Sequence, residues 1–146
     1  MHAFYRALAL IEQRGYSVQR TSSLYESEPW GGAEGGAFIN AVYEIARRNS
    51  PEEFLRDLLS VEADLGRRRE RKNEARTCDL DVLLWGDAKV NQPGLTVPHP
   101  RIPERRFVLY PLCELIAGLR HPVTDQTFEE LLLACDDPTL VKALQP

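Results

Sequence analysis

The most constraining feature of the sequence is an apolar run, Cys78–Trp85, that carries two aspartates two residues apart. Successive side chains of a strand alternate between its two faces, so Asp79 and Asp81 would share one face with Cα atoms about 6.6 Å apart. The residues that follow them are apolar, and Gly86 ends the run. The pattern therefore predicts a strand that holds two carboxylates side by side.

Two carboxylates at that separation repel each other by about 2.5 kcal/mol at an effective dielectric constant of roughly 20. A sheet gains nothing from this cost, whereas a divalent cation removes it. Mg²⁺, which prefers hard oxygen ligands and phosphates, is the usual solution. A solvated polar face on an edge strand is the competing interpretation of the pair taken alone.

A cationic segment precedes the aspartates directly. Six of the ten residues at 67–76 are Arg or Lys, although the chain has a formal net charge of −4. Guanidinium groups bind phosphate oxygens with two parallel hydrogen bonds, so this segment and the carboxylates together suit a metal–polyphosphate site. The alternatives are a solvated charged loop and a nucleic-acid patch. The patch is disfavoured by the acidic balance and by the lack of interleaved aromatic residues.

Two single residues are further candidates. Glu62 shares a helical stripe with Leu58 and Leu65, where a carboxylate needs an Arg or a ligand hydroxyl as partner. His99 lies between two prolines, which hold it in a rigid extended loop suited to a phosphate contact or a proton donor. A solvated Glu at the edge of the stripe and an ordinary loop His are the open alternatives.

Capping signals and hydrophobic periodicity predict the other elements. Helices are expected over 2–14 before Gly15, from the capping box at Ser50 to Gly66, and from the capping box at Thr127 to Ala134. Strands are expected over 16–26, Phe38–Ala46, Cys78–Trp85 and Lys89–Val90, and loops over 27–37, 67–76 and 91–106, followed by an apolar segment, Phe107–Leu112, broken by Pro111. This order predicts an α+β fold, with helices packed on a mostly antiparallel sheet.

The Phe38–Ala46 strand places an aromatic residue and a carboxamide on one face. Phe38 and Asn40 could stack on a heterocycle and hydrogen-bond its polar edge. A core phenylalanine next to a turn asparagine is the alternative.

Length and composition restrict the class of protein. A chain of 146 residues, 43% hydrophobic and 27% charged, is typical of one soluble globular domain. No stretch approaches the roughly 20 apolar residues of a membrane span, and no signal peptide is recognisable. The three cysteines form no Cys-x-x-Cys pair. We therefore expect a cytoplasmic protein without a disulfide scaffold or a zinc site.

In combination, these segments resemble hydroxymethyldihydropterin pyrophosphokinase of folate biosynthesis. The most specific segments are Arg76-Thr77-Cys78-Asp79-Leu80-Asp81 and Leu95-Thr96-Val97-Pro98-His99-Pro100-Arg101. The supporting segments are Ser22–Pro29, Phe38–Val42, Glu62–Arg67 and Glu104–Leu109. The family opens with a strand and a Gly-Ser-Asn-Leu-Gly turn before its first helix, whereas this sequence begins at that helix. We therefore expect a single domain over residues 1–146 that is short at its N-terminus.

The resemblance implies a ferredoxin-like α+β sandwich and the transfer of pyrophosphate from ATP to 6-hydroxymethyl-7,8-dihydropterin, with release of AMP. It implies two Mg²⁺ ions held by Asp79 and Asp81, the latter also activating the attacking hydroxyl. The residues implied in catalysis are Asp79, Asp81, Arg67 and Arg76. Those implied in pterin binding are Ser27, Glu28, Trp30, Phe38, Asn40 and Phe107. Those implied in nucleotide binding are Glu62, Arg69, Lys72, Thr96, His99 and Arg105.

Three functional hypotheses follow. The first is this ATP- and Mg²⁺-dependent enzyme, with small-molecule substrates, no nucleic-acid or membrane partner, and a monomeric or weakly homo-oligomeric state. The second is a truncated or degenerate pterin- or nucleotide-binding module without turnover. The third, and least favoured, is a nucleic-acid binder that uses residues 67–76.

Overall fold

The computed structural model describes residues 2–28, 38–66 and 79–144. The elements in chain order are α1 (His2–Gln13), β1 (Val18–Thr21), β2 (Tyr25–Ser27), β3 (Phe38–Asn40), β4 (Tyr43–Ile45), α2 (Pro51–Gly66), β5 (Val90–Gln92), β6 (Leu95–Val97), a 3₁₀ turn (Ile102–Glu104), α3 (Arg106–Ile116), α4 (Phe128–Ala134) and β7 (Val141–Ala143). The predictions for 29–37 and for the cationic segment 67–76 lie outside the described residues.

The three helices expected from caps and periodicity are confirmed. α1 ends just before Gly15, whose φ of 92° is the left-handed conformation that glycine adopts without strain. α2 begins at its capping box, where the Glu53 N–H donates to Ser50 Oγ at 3.1 Å. At α4 both reciprocal hydrogen bonds of the box between Thr127 and Glu130 are present. Local signals therefore fix where these helices start.

The strands of the described residues form three small antiparallel sheets, so the α+β class is confirmed. Their orders are β1–β4, β3–β2–β7 and β5–β6. The predicted strand Phe38–Ala46 is divided between two sheets, since β3 pairs with β2 and β4 pairs with β1. The division falls at Val42, whose N–H donates to Ser22 Oγ and whose carbonyl accepts from the Ser22 N–H, both at 2.9 Å. The predicted strand 16–26 is divided at the same place.

The strand predicted at Cys78–Trp85 is not found in the part that the structure describes. Residues 79–85 have no assigned strand pairing. They are instead held by packing: Val82 lies in one apolar cluster, and Leu83 and Leu84 pack against another. An apolar run favours packing against the core, whereas a strand also needs a hydrogen-bonding neighbour from elsewhere in the chain. The apolar residues of this segment are packed, but the predicted strand is wrong for residues 79–85.

In the described ranges, the buried apolar side chains form two clusters, and residues 79–85 contact both. The first cluster joins α1 and α2 through Ile11, Leu58 and Leu65, with Leu95 and Val97 of β6. The second joins the 3₁₀ turn, α3 and α4, and its members are Ile102, Leu109, Leu112, Phe128, Leu131 and Cys135. The segment that carries the two aspartates is thus anchored between the two clusters. Within the described ranges, no helix is long and apolar enough to span a membrane.

Two regions expected to be irregular contain regular structure. Pro111 lies inside α3, although it cannot donate the backbone hydrogen bond of a helix interior. The overlooked signal is the stripe of Leu109, Leu112 and Ile116, at helical spacing. The proline-rich region 91–106 contains the β5–β6 hairpin, whose turn uses Gly94 with a φ of 80°.

A substitution in α3 tests its packing. Leu109 is fully buried, so Leu109→Ala is expected to lower the free energy of unfolding by roughly 2–5 kcal/mol. Leu133 of α4 is 81% exposed, so the same change there is expected to cost less than about 0.5 kcal/mol. Urea unfolding of both variants measures the difference. Equal effects at the two positions would contradict the packing described here.

Candidate active site

A cleft of about 1340 Å³ is bordered by the β3–β4 region, residues 79–87 and the start of α3. The predicted site residues that line it are Ser27, Glu28, Phe38, Asn40, Asp79, Asp81, Arg105 and Phe107. The structure thus gathers described residues predicted for metal, pterin and nucleotide binding around one space. Glu62, Thr96 and His99 are described but do not line it. Trp30, Arg67, Arg69, Lys72 and Arg76 lie outside the described residues.

One face of the β3–β2–β7 sheet contributes the first part of the cleft wall. Phe38 pairs with Ser27 and Asn40 pairs with Tyr25, and residues directly opposite each other share a face. The side chain of Phe38 is 48% exposed, so it is not a core residue, and that alternative is wrong. Its ring is available to a ligand beside the carboxamide of Asn40.

Helix α3 lies over the same face of this sheet. The Tyr25 hydroxyl donates to Glu114 Oε1 at 2.7 Å, and its ring stacks on Tyr110 with centroids 6.3 Å apart. Burial, followed by the Glu114 hydrogen bond, raises the pKa of Tyr25 to about 12, so the hydroxyl remains a donor at neutral pH. The first turn of α3 carries Phe107. The helix and the strand therefore present two aromatic rings, Phe107 and Phe38, to one cleft.

The guanidinium group of Arg105 lies over the Phe107 ring. The guanidinium carbon of Arg105 lies 5.6 Å from the centre of the ring, within the range of a cation–π interaction. This contact places a positive charge at the cleft wall next to the aromatic surface.

The aspartates lie at the start of the segment that runs between the two clusters. Asp79 and Asp81 are exposed and line the cleft, whereas Leu80 between them packs against the first cluster. The Leu80 N–H donates to Glu62 Oε2 of α2 at 2.6 Å. Glu62 is half-buried, and in this contact its partner is a backbone N–H rather than an Arg. It holds the backbone between the two aspartates.

The donor set of this pair fits a hard cation. In the part of the chain that the structure describes, no three His, Cys, Asp or Glu side chains converge on a metal position. A cation here would take carboxylate oxygens from Asp79 and Asp81 and complete its shell with water or ligand oxygens. That is how Mg²⁺ is usually bound beside phosphates, with one or two carboxylates from the protein.

His99 has a defined tautomer. Its backbone N–H donates to the Leu83 carbonyl at 2.8 Å, and its Nδ1 accepts from the Arg101 N–H at 3.1 Å. Burial lowers the pKa of His99; Asp81 opposes this shift, while Arg105 and Arg101 add to it. The ring is therefore neutral at pH 7 with its proton on Nε2. His99 is consequently a neutral hydrogen-bond donor, located within electrostatic range of Asp81.

Thr96 lies on the outer side of the β5–β6 hairpin. Its Oγ1 donates to Asn91 Oδ1 at 3.4 Å, and its side chain is exposed while Leu95 and Val97 are buried. The structure therefore does not bring Thr96 to the cleft wall with the aspartates.

The C-terminal segment contributes a part of the cleft wall that sequence reasoning missed. The Glu28 N–H donates to the Leu140 carbonyl at 3.3 Å, and Thr139 lines the cleft. Thr139 is fixed by Asp137, whose Oδ1 accepts from its hydroxyl at 2.7 Å. No motif marks this segment, because β7 is only a three-residue strand recognised by its pairing with β2.

The chain matches the family described as 7,8-dihydro-6-hydroxymethylpterin-pyrophosphokinase over residues 1–117. Two similar proteins are named 2-amino-4-hydroxy-6-hydroxymethyldihydropteridine pyrophosphokinase. That of Bacillus subtilis is 40% identical over 120 residues, covering 82% of this chain and 72% of its own. The Pseudomonas aeruginosa protein is 40% identical over 114 residues, which are 78% of this chain and 70% of the bacterial protein. The folic acid synthesis protein fol1 of Pneumocystis carinii is 39% identical over 118 residues, which are 81% of this chain but 16% of the fungal protein.

Proposed function

The chain belongs to the 7,8-dihydro-6-hydroxymethylpterin-pyrophosphokinase family, and from this premise we propose that it transfers pyrophosphate from ATP to the hydroxymethyl group of 6-hydroxymethyl-7,8-dihydropterin in folate biosynthesis. AMP is the second product. The observation that carries the proposal is the convergence of the exposed aspartates 79 and 81 with the rings of Phe38 and Phe107 on one cleft. None of the comparisons favours a binding module without turnover.

The pterin occupies the space between Phe38 and Phe107. A flat heterocycle stacks on an aromatic ring, and the shared cleft of strand β3 and helix α3 supports a sandwich of this kind. The carboxamide of Asn40 offers both a donor and an acceptor to the polar edge of the ligand. The backbone near Ser27 and Glu28, together with Trp30, completes this end of the site.

The reaction is an in-line displacement at the β-phosphorus of ATP. The hydroxymethyl oxygen forms a bond to that phosphorus, while the bond from it to the oxygen bridging the α-phosphate breaks and AMP leaves with the electron pair. The hydroxyl proton passes to the carboxylate of Asp81, directly or through water. Little covalent chemistry is required of the protein, so positioning and charge dominate the rate.

Asp79 and Asp81 would hold Mg²⁺, with two ions in the complete complex. When bound, Mg²⁺ would supply positive charge that neutralises the phosphate oxygens. Around the phosphates, His99 donates from Nε2 and Arg105 supplies a guanidinium. Arg69 and Lys72 complete the nucleotide end, and Arg67 and Arg76 stabilise the charge that develops as AMP leaves.

The same proposal extends to the organisation of the chain. We infer a single ferredoxin-like domain over residues 1–146, working in the cytoplasm as a monomer or a weak homo-oligomer and without nucleic acid. The mixed helices and antiparallel sheets and the acidic net charge of −4 support this.

The test is an assay of AMP formation in which ATP, Mg²⁺ and the pterin are each omitted in turn. AMP is expected only when ATP, Mg²⁺ and the hydroxymethyl pterin are present together with folded protein, and removal of Mg²⁺ with a chelator is expected to stop its formation. Chromatographic quantification of AMP against time measures the rate. Calorimetric binding of the pterin without AMP release would instead identify a binding module and overturn the enzymatic proposal.

A further inference from the structure

We propose that Glu62 is a positioning residue for the aspartate pair. This role rests on the proposed function and adds one residue to the site that would perform it. The side chain of Glu62 reaches from α2 to the backbone N–H of Leu80, which its Oε2 accepts at 2.6 Å. Leu80 is the one residue between Asp79 and Asp81. This hydrogen bond therefore fixes the Asp79–Leu80 peptide, in the backbone between the two carboxylates.

The segment requires such an anchor because of how it is held. Residues 79–85 have no assigned strand pairing within the described ranges, so no continuous ladder sets the direction of successive side chains. Backbone anchors to this segment include the Leu80–Glu62 bond and the Leu83 carbonyl, which accepts from the His99 N–H. Of these two anchors, the Glu62 bond is adjacent to both aspartates, and a carboxylate acceptor makes it charge-assisted.

The contacts of the other acidic residues on α2 set Glu62 apart. Glu52 accepts from Gln92 of β5, Glu53 takes part in the capping box, Asp57 accepts from the Tyr16 hydroxyl, and Asp64 forms an ion pair with Arg14. Each of these contacts stabilises the helix or joins it to α1, the residues after α1, or β5. Glu62 instead bonds a main-chain group that neighbours the proposed metal ligands, so its effect is expected in metal affinity.

The test compares Glu62→Ala with Glu62→Gln, which keeps an oxygen acceptor for the Leu80 N–H. Mn²⁺ serves as a probe for Mg²⁺, and its binding is followed by electron paramagnetic resonance with an ATP analogue that cannot transfer pyrophosphate and without pterin. Glu62→Ala is expected to weaken Mn²⁺ binding about 10-fold or more. Glu62→Gln is expected to stay within about 3-fold of the wild type.

Ser50→Ala is the control for a merely structural effect. It removes the Ser50 Oγ that accepts from the Glu53 N–H and caps the same helix. It is expected to lower stability by about 1 kcal/mol while leaving Mn²⁺ affinity unchanged. Urea unfolding of all variants shows whether they are folded and comparably stable. Unchanged Mn²⁺ affinity in Glu62→Ala would overturn the positioning role. So would a loss confined to metal-free nucleotide binding, because that would make Glu62 a nucleotide ligand only.

The outcomes separate this role from the proposed function. Wild-type protein that forms AMP, with Mn²⁺ binding unaffected in Glu62→Ala, would contradict the positioning role alone. Wild-type protein that forms no AMP, yet binds Mn²⁺ in a manner dependent on residue 62, would contradict the enzymatic proposal alone. Wild-type protein that binds no Mn²⁺ with nucleotide would overturn the metal site on which both depend.

Discussion

Replacing Asp81 by asparagine is expected to lower kcat by about 10²–10⁴-fold while the protein remains folded. Asparagine keeps the size of the side chain but removes a negative charge that holds the cation and the group that accepts the hydroxyl proton. Because Asp81 is exposed on the cleft wall, the change leaves no buried polar atom without a partner. Steady-state AMP release, measured over a range of Mg²⁺ concentrations, gives the effect on kcat and on the metal requirement.

Asp87→Asn is the matched control for that prediction. Asp87 is exposed and follows the same segment beyond Gly86, but it has no assigned role in the reaction. Its replacement is expected to leave kcat within about 2-fold of the wild type, consistent with the small effect of most surface changes. A kcat for Asp81→Asn within tenfold of the wild type would contradict the role of the aspartate pair, as would equal losses in the two variants.

Replacing Phe107 by alanine is expected to weaken pterin binding about 10-fold to 100-fold. Stacking of a flat base on an aromatic ring contributes roughly 1–3 kcal/mol, as measured by alanine substitution in nucleic-acid complexes. Phe38→Ala is expected to have an effect of the same order, since the half-exposed ring of Phe38 borders the same cleft. Calorimetric titration with the pterin, in the presence of a non-reactive ATP analogue, measures both dissociation constants.

Two controls accompany the aromatic variants. Tyr5→Ala removes an aromatic residue of α1 that is 63% exposed, and is expected to leave pterin affinity unchanged. Nucleotide affinity is measured in Phe107→Ala because Arg105 lies over that ring. Unchanged pterin affinity in both phenylalanine variants would contradict the sandwich. A loss of nucleotide affinity larger than the loss of pterin affinity would contradict it equally.

Local signals in the sequence were sufficient for the helices that carry caps. The boxes at Ser50 and Thr127 predicted α2 and α4, because the hydrogen bonds that begin a helix involve residues three apart in the chain. Helix α3 is not predicted by the local signals, because Pro111 interrupts the apolar segment Phe107–Leu112. In the structure, burial of Leu109 and Leu112 outweighs the hydrogen bond that the proline cannot donate.

The strands were harder to predict because their partners are distant in sequence. Nothing near Phe38–Ala46 indicates that the chain changes sheets at Val42, where the deciding partner is Ser22. The sequence shows that most of residues 79–85 are apolar. Whether this segment pairs as a strand depends on neighbouring backbone that the local pattern does not specify. A sequence motif does not reveal contacts made by backbone groups, such as the hydrogen bond from the Leu80 N–H to Glu62.

The sequence also indicated several residues that border one cleft in the structure. Chemistry-bearing residue types at fixed spacing pointed to Asp79, Asp81, Phe38 and Asn40, and all four line one cleft. The catalytic and binding roles of the individual residues stay predictions. Glu62 differs most from its expected role, because the resemblance implies a nucleotide contact whereas the structure gives it a backbone partner next to the aspartates.

The most direct measurement follows the phosphates of ATP through one reaction. ATP labelled at the β-phosphorus is mixed with the hydroxymethyl pterin, Mg²⁺ and the protein, and the products are separated. Pyrophosphoryl transfer predicts that the label moves to the pterin product while AMP is unlabelled. Label that remains in ADP would contradict it, since that pattern means transfer or hydrolysis of the terminal phosphate alone. Label released as free pyrophosphate, with unmodified pterin, would contradict it as well.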